Sequence, residues 1–228
     1  MKKVKAVAIV SGGMDSAVLA YDLADQLGGS FLHILSFNYG QRHAVELNAA
    51  EEIARRLNAK WSLVDLRGLG SLLPGSSLTD PAIDVPEGHY AAESMKATVV
   101  PNRNAIMLSV AFGVAFADGA ISVGAGFHAG DHHIYPDCRP GFVSAFSDMQ
   151  SVALQDLGRP APLLYTPFLY LHKSEIVRIG HRLQVPFGIT WSCYKGGDKH
   201  CARCGTCVER KEAFADAATP DPTEYAEG

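Results

Sequence analysis

The sequence predicts an α/β protein built on a parallel sheet, and three observations carry that prediction. Short β-branched runs alternate with stretches that repeat at the helical period, beginning near the N-terminus. The first run breaks at two glycines and restarts at once as a helix, as strand-to-helix turns in such folds do. The chain has 228 residues, 47% of them hydrophobic, which is enough to bury one sizeable core and leave a C-terminal appendage.

Residues 4–10 form the first expected strand, followed by a helix over 16–27 that Asp15 or Ser16 can cap. Strands at 31–37 and 60–65 enclose a helix at 46–57, giving a βαβαβ opening with right-handed crossovers. Residues 67–98 are rich in Pro, Gly, Ser and Asp and are expected to be a long functional loop. A nearly all-apolar helix at 102–117 fits burial against the sheet. A strand at 120–126, a helix at 142–157, a strand at 162–165 and a helix at 173–183 complete the alternation. The expected division is a catalytic domain over 1–190, a metal-binding segment over 191–217 and a loose tail over 218–228.

The net charge of −4 and an isoelectric point near 6.1 argue against a broad nucleic-acid-binding face. No window approaches the roughly 20 apolar residues of a membrane span, and the N-terminus lacks a signal-peptide pattern. A soluble cytoplasmic protein is expected. Four of the five cysteines, Cys193, Cys201, Cys204 and Cys207, follow a C-x7-C-x2-C-x2-C spacing. Without an export signal, that clustering points to metal rather than disulfides, and four thiolates suit a closed tetrahedral zinc site. An iron–sulfur cluster is the rival, although the ferredoxin C-x3-C-P ending is missing. Cys138 stands apart and reads as a pocket-wall thiol.

The glycine turn Ser11-Gly12-Gly13-Met14-Asp15-Ser16 has neither the Gly-Lys-Ser/Thr of a Walker A loop nor the G-x-G-x-x-G of a dinucleotide fold. A glycine turn at a helix N-terminus suits an anion, because free N–H groups point outward there. Gly12 and Gly13 let the backbone approach phosphates, Ser11 and Ser16 offer hydroxyls, and Asp15 can help hold Mg²⁺. The turn resembles the signature of the PP-loop ATP pyrophosphatases. That resemblance implies an adenine-nucleotide α-hydrolase-like fold and an ATP site over Ile9, Val10, Ser11, Gly12, Gly13, Met14, Asp15, Ser16, Ala17, Val18 and Leu19.

The segments "FNYGQRH", "VPNRN", "YPDCRP" and "TWSCY", with the C-terminal cysteines, add to the turn. The ordered set, from about residue 5 to 210, resembles the QueC family of 7-cyano-7-deazaguanine synthases. The resemblance implies that 7-carboxy-7-deazaguanine, ammonia and ATP yield a nitrile base in queuosine biosynthesis. It also implies a structural zinc, ATP with Mg²⁺, small-molecule substrates and a homodimer. Arg42, Arg103 and Lys173 are the expected cations that balance charge growing on pyrophosphate, beside Asp15 and Ser16. Gln41, Asn102, Asn104, Tyr135 and Asp137 are the expected substrate residues, with Asp137 accepting from the guanine-like N–H edge. Gly141 stands where relatives usually carry Glu, and "GDHH" at 130–133 is also less typical, so both bear on the pocket wall. Three other readings remain open at this stage: a tRNA-thiolating PP-loop enzyme, a zinc-containing nucleotide sensor, and a relative that joins the activated acid to another amine.

Overall fold

The computed structural model describes residues 3–90 and 93–226. Five parallel strands form one sheet: β1 (Ala6–Ile9), β2 (Leu32–Asn38), β3 (Lys60–Asp65), β4 (Ser122–Gly124) and β5 (Leu163–Tyr165). Their order is β3-β2-β1-β4-β5, so the winding reverses between β1 and β4. Ligands of open α/β sheets bind at the strand C-termini beside such a reversal.

Alternation along the strands feeds two cores. Ala6, Ala8, Val10, Leu32 and Ile34 pack on one face against α1 (Met14–Leu27), α2 (Glu46–Arg56) and α6 (Lys173–Arg182). Val7, Leu35, Phe37 and Val123 pack on the other against α4 (Arg103–Asp118) and α5 (Pro140–Ala153). Between β3 and α4 the chain is mostly irregular apart from the one-turn α3 (Arg67–Gly70) and a 3₁₀ segment at Glu93–Thr98. This long loop is not solvated slack, because Leu78, Val85, Tyr90 and Met95 from it are buried.

The expected strands and helices are present with boundaries shifted by a few residues. Three features differ. Gly13 is the N-cap of α1, and neither Asp15 nor Ser16 caps it; the Ser16 hydroxyl donates instead to Gly13 O at 3.0 Å. A helix that periodicity did not reveal, α7 (Gly205–Asp216), packs on α6 and carries Cys207, Glu209 and Arg210. Residues 218–226, expected as a loose tail, fold back: Ala226 N–H donates to His200 O at 2.7 Å, and Tyr225 OH donates to Asp221 at 2.6 Å.

The anchor of that return is Arg210, whose side chain is wholly buried. Its guanidinium donates to Thr190 Oγ1 at 2.7 Å, Ser192 Oγ at 3.2 Å, Phe187 O at 3.0 Å and Asp221 at 3.1 Å. A planar fork fills four acceptors that a point charge could not reach together. Removing one partner of a buried ion pair costs about 3–5 kcal/mol, because the other is left uncompensated. Arg210→Met is therefore expected to lower stability by about that much, read as a shift of the urea midpoint, and Arg210→Lys should recover only a small part.

Candidate active site

The phosphate-loop geometry begins with Gly12. Its φ is +98°, and a Cβ there would lie 2.0 Å from the carbonyl oxygen of Glu46. Only glycine lets the loop rest on the start of α2. Trp191 N–H donates to Gly12 O at 2.9 Å, fixing the loop from the C-terminal side. Within the loop, Ser11 N–H donates to Ser16 Oγ at 3.2 Å, and Gly13 N–H donates to Ser11 Oγ at 3.2 Å. The result is a closed turn at the N-terminus of α1, where unpaired amides and the helix dipole favour an anion.

This turn forms one wall of a cavity of about 230 Å³ beside the β1/β4 reversal. Ile9, Val10, Ser11, Gly13, Met14, Asp15 and Ser16 line it, joined by residues that follow β2 and β4, by the start of α4, and by Trp191, Ser192 and Tyr194.

Two cations face the cavity in different states. Lys173, at the start of α6, lies 3.3 Å from Asp15 Oδ2 and donates to Glu209 of α7. Burial works against its charge, but Asp15 and Glu209 outweigh burial and raise its pKa. Burial pushes Glu209 up in turn, against the pull of Lys173. Asp15 Oδ1 is buried without a hydrogen-bond partner. Arg103, at the start of α4, has no carboxylate in salt-bridge contact among the described residues. It donates to Tyr39 OH at 3.3 Å and stacks 5.7 Å from the centres of the Tyr39 and Tyr135 rings. Burial pushes the Tyr39 phenol up to about 12, so it stays neutral beside the guanidinium.

Two titratable groups near Arg103 are neutral at pH 7. Burial, reinforced by Arg103, lowers His43 to about 3. Burial raises Glu46 to about 8 even though Gln41 donates to its carboxyl at 3.2 Å. On the opposite side, His128 Nδ1 accepts from Gly130 N–H at 3.1 Å, which leaves the proton on Nε2. That nitrogen faces Asp131 at 3.5 Å and Asp15 at 3.9 Å.

The four cysteine sulfurs of the C-terminal segment lie within 4.8 Å of one another, and three of the four residues are buried. Tetrahedral thiolates about 2.3 Å from an ion sit about 3.8 Å apart, close to the 4.0 Å seen for Cys201–Cys207 and Cys193–Cys204. Amide N–H groups of Cys201 and Cys204 donate to Cys193 and Cys201 sulfurs at 3.4 and 3.2 Å. The set could hold one metal ion, and a multi-iron cluster would need the sulfurs further apart.

Residues 5–218 match the family model described as Queuosine biosynthesis protein QueC. The chain belongs to the QueC family. It is 56% identical over 223 residues to the 7-cyano-7-deazaguanine synthase of Rhizobium meliloti strain 1021, covering 97% of this chain and 92% of that one. The corresponding protein of Ruegeria pomeroyi is 54% identical, with 98% and 95% covered. Among solved structures, the NH3-dependent NAD synthetase of Campylobacter jejuni aligns with a TM-score of 0.49 and 15% identity, over 83% of this chain and 68% of that one.

Within this QueC-family chain, the structure brings some expected site residues together and separates others. Ser11, Gly13, Asp15, Ser16, Arg103, Asn104, Tyr135, Cys138 and Lys173 share the cavity. Arg42 does not face it: its guanidinium donates to Asp80 O at 2.8 Å and Ile83 O at 3.1 Å, pinning the long loop. Gln41 is buried behind the wall, accepting from Tyr39 N–H at 2.9 Å and donating to Phe37 O at 3.0 Å. Asn102 is exposed in a left-handed turn, with no side-chain capping bond. Asp137 caps α4 from outside, its Oδ2 accepting Asn104 N–H at 3.0 Å, and it does not line the cavity. A Cβ on Gly141 would meet no atom within 4 Å, and Gly141 does not line the cavity. From the 130–133 segment it is Asp131 that lines the cavity. Sequence reading placed His43 at the ligand-bearing edge and Asp131 in the flagged 130–133 segment, but missed Tyr39, Glu46, Tyr90, His128, Tyr194 and Glu209. "FNYGQRH" and "CVER" were the available signals for two of them.

Glu46 gives a signed prediction. An unfolded Glu ionises near 4.5, whereas the folded residue keeps its proton to about 8. The folded state therefore binds more protons through that window, and stability falls as pH rises across it. Glu46→Gln is expected to flatten the fall, gaining stability at about pH 8 relative to about pH 5; urea midpoints at the two pH values check this. Cys204→Ser is expected to lose the bound metal and loosen the C-terminal segment, since structural metal binding is coupled to folding. Cys138→Ser should keep its metal, and elemental analysis of both variants reads the difference.

Proposed function

We propose that this chain uses ATP to convert 7-carboxy-7-deazaguanine and ammonia into 7-cyano-7-deazaguanine, for queuosine-type nucleosides. The observation that carries the reading is a single cavity lined by the glycine turn and by two half-buried cations, Lys173 and Arg103. Family membership supplies the substrate class, and the cavity supplies chemistry that suits it.

A carboxylate resists attack by ammonia until one of its oxygens becomes a leaving group. Its attack on the α-phosphorus of ATP forms the acyl-adenylate and releases pyrophosphate. The amides of the glycine turn and Lys173 stabilise the charge that grows on the pyrophosphate. Arg103, free of any carboxylate, is suited to the substrate carboxylate and to the oxyanion that ammonia generates from it. Ammonia displaces AMP to give the amide. A second adenylation, on the amide oxygen, lets AMP depart as the carbon–nitrogen triple bond forms. Tyr39, Tyr135 and Tyr194 wall the cavity and limit water at the activated carbon.

The unpartnered Asp15 Oδ1 fits a role in holding Mg²⁺ brought with ATP. That ion supplies neutralisation of phosphate charge. Cys193, Cys201, Cys204 and Cys207 form a closed thiolate set that suits structural zinc, with no position left for substrate. Zinc there would hold the segment bearing Trp191 and Tyr194 against the cavity. The reading includes a cytoplasmic homodimer, for which the support is the family resemblance.

The test follows the oxygens. Substrate carrying ¹⁸O in both carboxyl positions is expected to yield two labelled AMP molecules per nitrile, detected by mass spectrometry. The amide with ATP alone should also give nitrile. A reaction that ends at the amide with one labelled AMP would refute nitrile synthesis.

A further inference from the structure

The hydroxyls around the cavity have a fixed polarity. Thr98 Oγ1 donates its only proton to Met95 O at 2.7 Å. Its 2.7 Å contact with Tyr135 OH must therefore be a bond that Tyr135 donates. With the Tyr135 proton committed, the 3.4 Å contact between Tyr135 and Tyr194 is donated by Tyr194. On a separate element, Tyr90 OH donates to Asp131 Oδ1 at 3.2 Å. A tyrosine phenol ordinarily keeps its proton at neutral pH, so both are donors in these bonds. Every one of these protons is thus spent on the protein. What Tyr194, Tyr90 and Asp131 turn to the cavity they line is lone pairs.

A wall of acceptors calls for a ligand rich in N–H or O–H donors. Charges of both signs surround these groups. Lys173 lies 5.5 Å from the centre of the Tyr90 ring, and Arg103 lies 5.7 Å from the centre of the Tyr135 ring. The buried His43 ring lies 5.2 Å from that of Tyr194 and is neutral, so it adds no countercharge. Glu209 and Asp15 are engaged with Lys173, leaving Asp131 as the carboxylate next to the tyrosines. Lys173 is already matched by Asp15 and Glu209, so Arg103 and Asp131 are the opposed charges beside these phenols, and charge alone does not select ammonium over ammonia.

We infer that Tyr194, Tyr90 and Asp131 form the subsite for neutral ammonia, holding its N–H groups and leaving its lone pair free to attack. The inference rests on the ligase reading above. In the step, nitrogen bonds to the acyl carbon and the carbon–oxygen bond to phosphate breaks. The electron pair leaves with AMP, and the proton shed by nitrogen passes to the Asp131 carboxylate. Ammonium would offer no lone pair, so the form that reacts at these acceptors is neutral ammonia.

The test measures three Michaelis constants in the full-length, metal-loaded enzyme. Tyr194→Phe removes one acceptor and is expected to raise KM for ammonia about tenfold, the size of one lost hydrogen bond. The KM values for ATP and for the acid should move less than twofold. Asp131→Asn, on a different element, should shift the same constant, which guards against a single misfolded variant. In the parent, KM counted as NH3 should be constant with pH, while KM counted as total ammonium falls tenfold per unit rise below the ammonium pKa. An ammonia KM unchanged in both variants, three constants rising together, or a KM constant when counted as ammonium would each overturn the subsite. Acid-dependent exchange of pyrophosphate into ATP by the parent, without ammonia, tests the ligase reading separately; its absence would sink both.

Discussion

The candidate site depends on one steric fact, the missing side chain at Gly12. Because nothing projects from that residue, the turn after β1 can lie directly against the Glu46 carbonyl at the start of α2. The positive φ needed for this approach is one that residues with a Cβ rarely tolerate. Seating the turn there leaves Gly12 O available to Trp191, which brings the cysteine-bearing segment over the cavity. The cavity wall therefore descends from a backbone contact, and its side chains occupy places that contact sets.

The buried charges divide along the same line. Lys173 is doubly countered, by Asp15 and Glu209, and so is held as a stable cation beside the phosphate turn. Arg103 is countered only by neutral phenols and stacking. Burying a guanidinium without a carboxylate costs stability unless something anionic arrives. The neutral states of His43 and Glu46 belong to this environment: next to an uncompensated cation and away from water, imidazole stays unprotonated, while burial keeps the carboxyl protonated.

Much of the fold could be read directly, because strands at 60–65 and helices at 46–57 obey simple periods and the glycine turn breaks them. The turn and the cysteine spacing were legible for a similar reason, since the chemistry there is local in sequence. Arg42 and Asp137 were harder. Both stand in motif-like strings, yet one serves backbone carbonyls and the other a helix end, and only the path of the chain reveals which acceptor or donor is near. Tyr135 was expected, whereas Tyr39, Tyr90 and Tyr194 were hidden, because the four come from separate loops with no spacing to connect them. The helix α7 was obscured by its start within the cysteine cluster, and the tail by its Pro- and Asp-rich composition, which resembles disorder until Arg210 is seen to need Asp221.

The bond between Trp191 and Gly12 has a consequence for how the protein comes into being. The glycine turn leaves the ribosome well before Trp191, the residue whose N–H holds Gly12 O. Domains form largely as they emerge, so the nascent sheet exists for a time with its glycine turn unlatched. The turn gains this restraint only once the segment bearing Trp191 has been made and has closed on it. A chain truncated before residue 191 would keep most of its sheet and lose the latch.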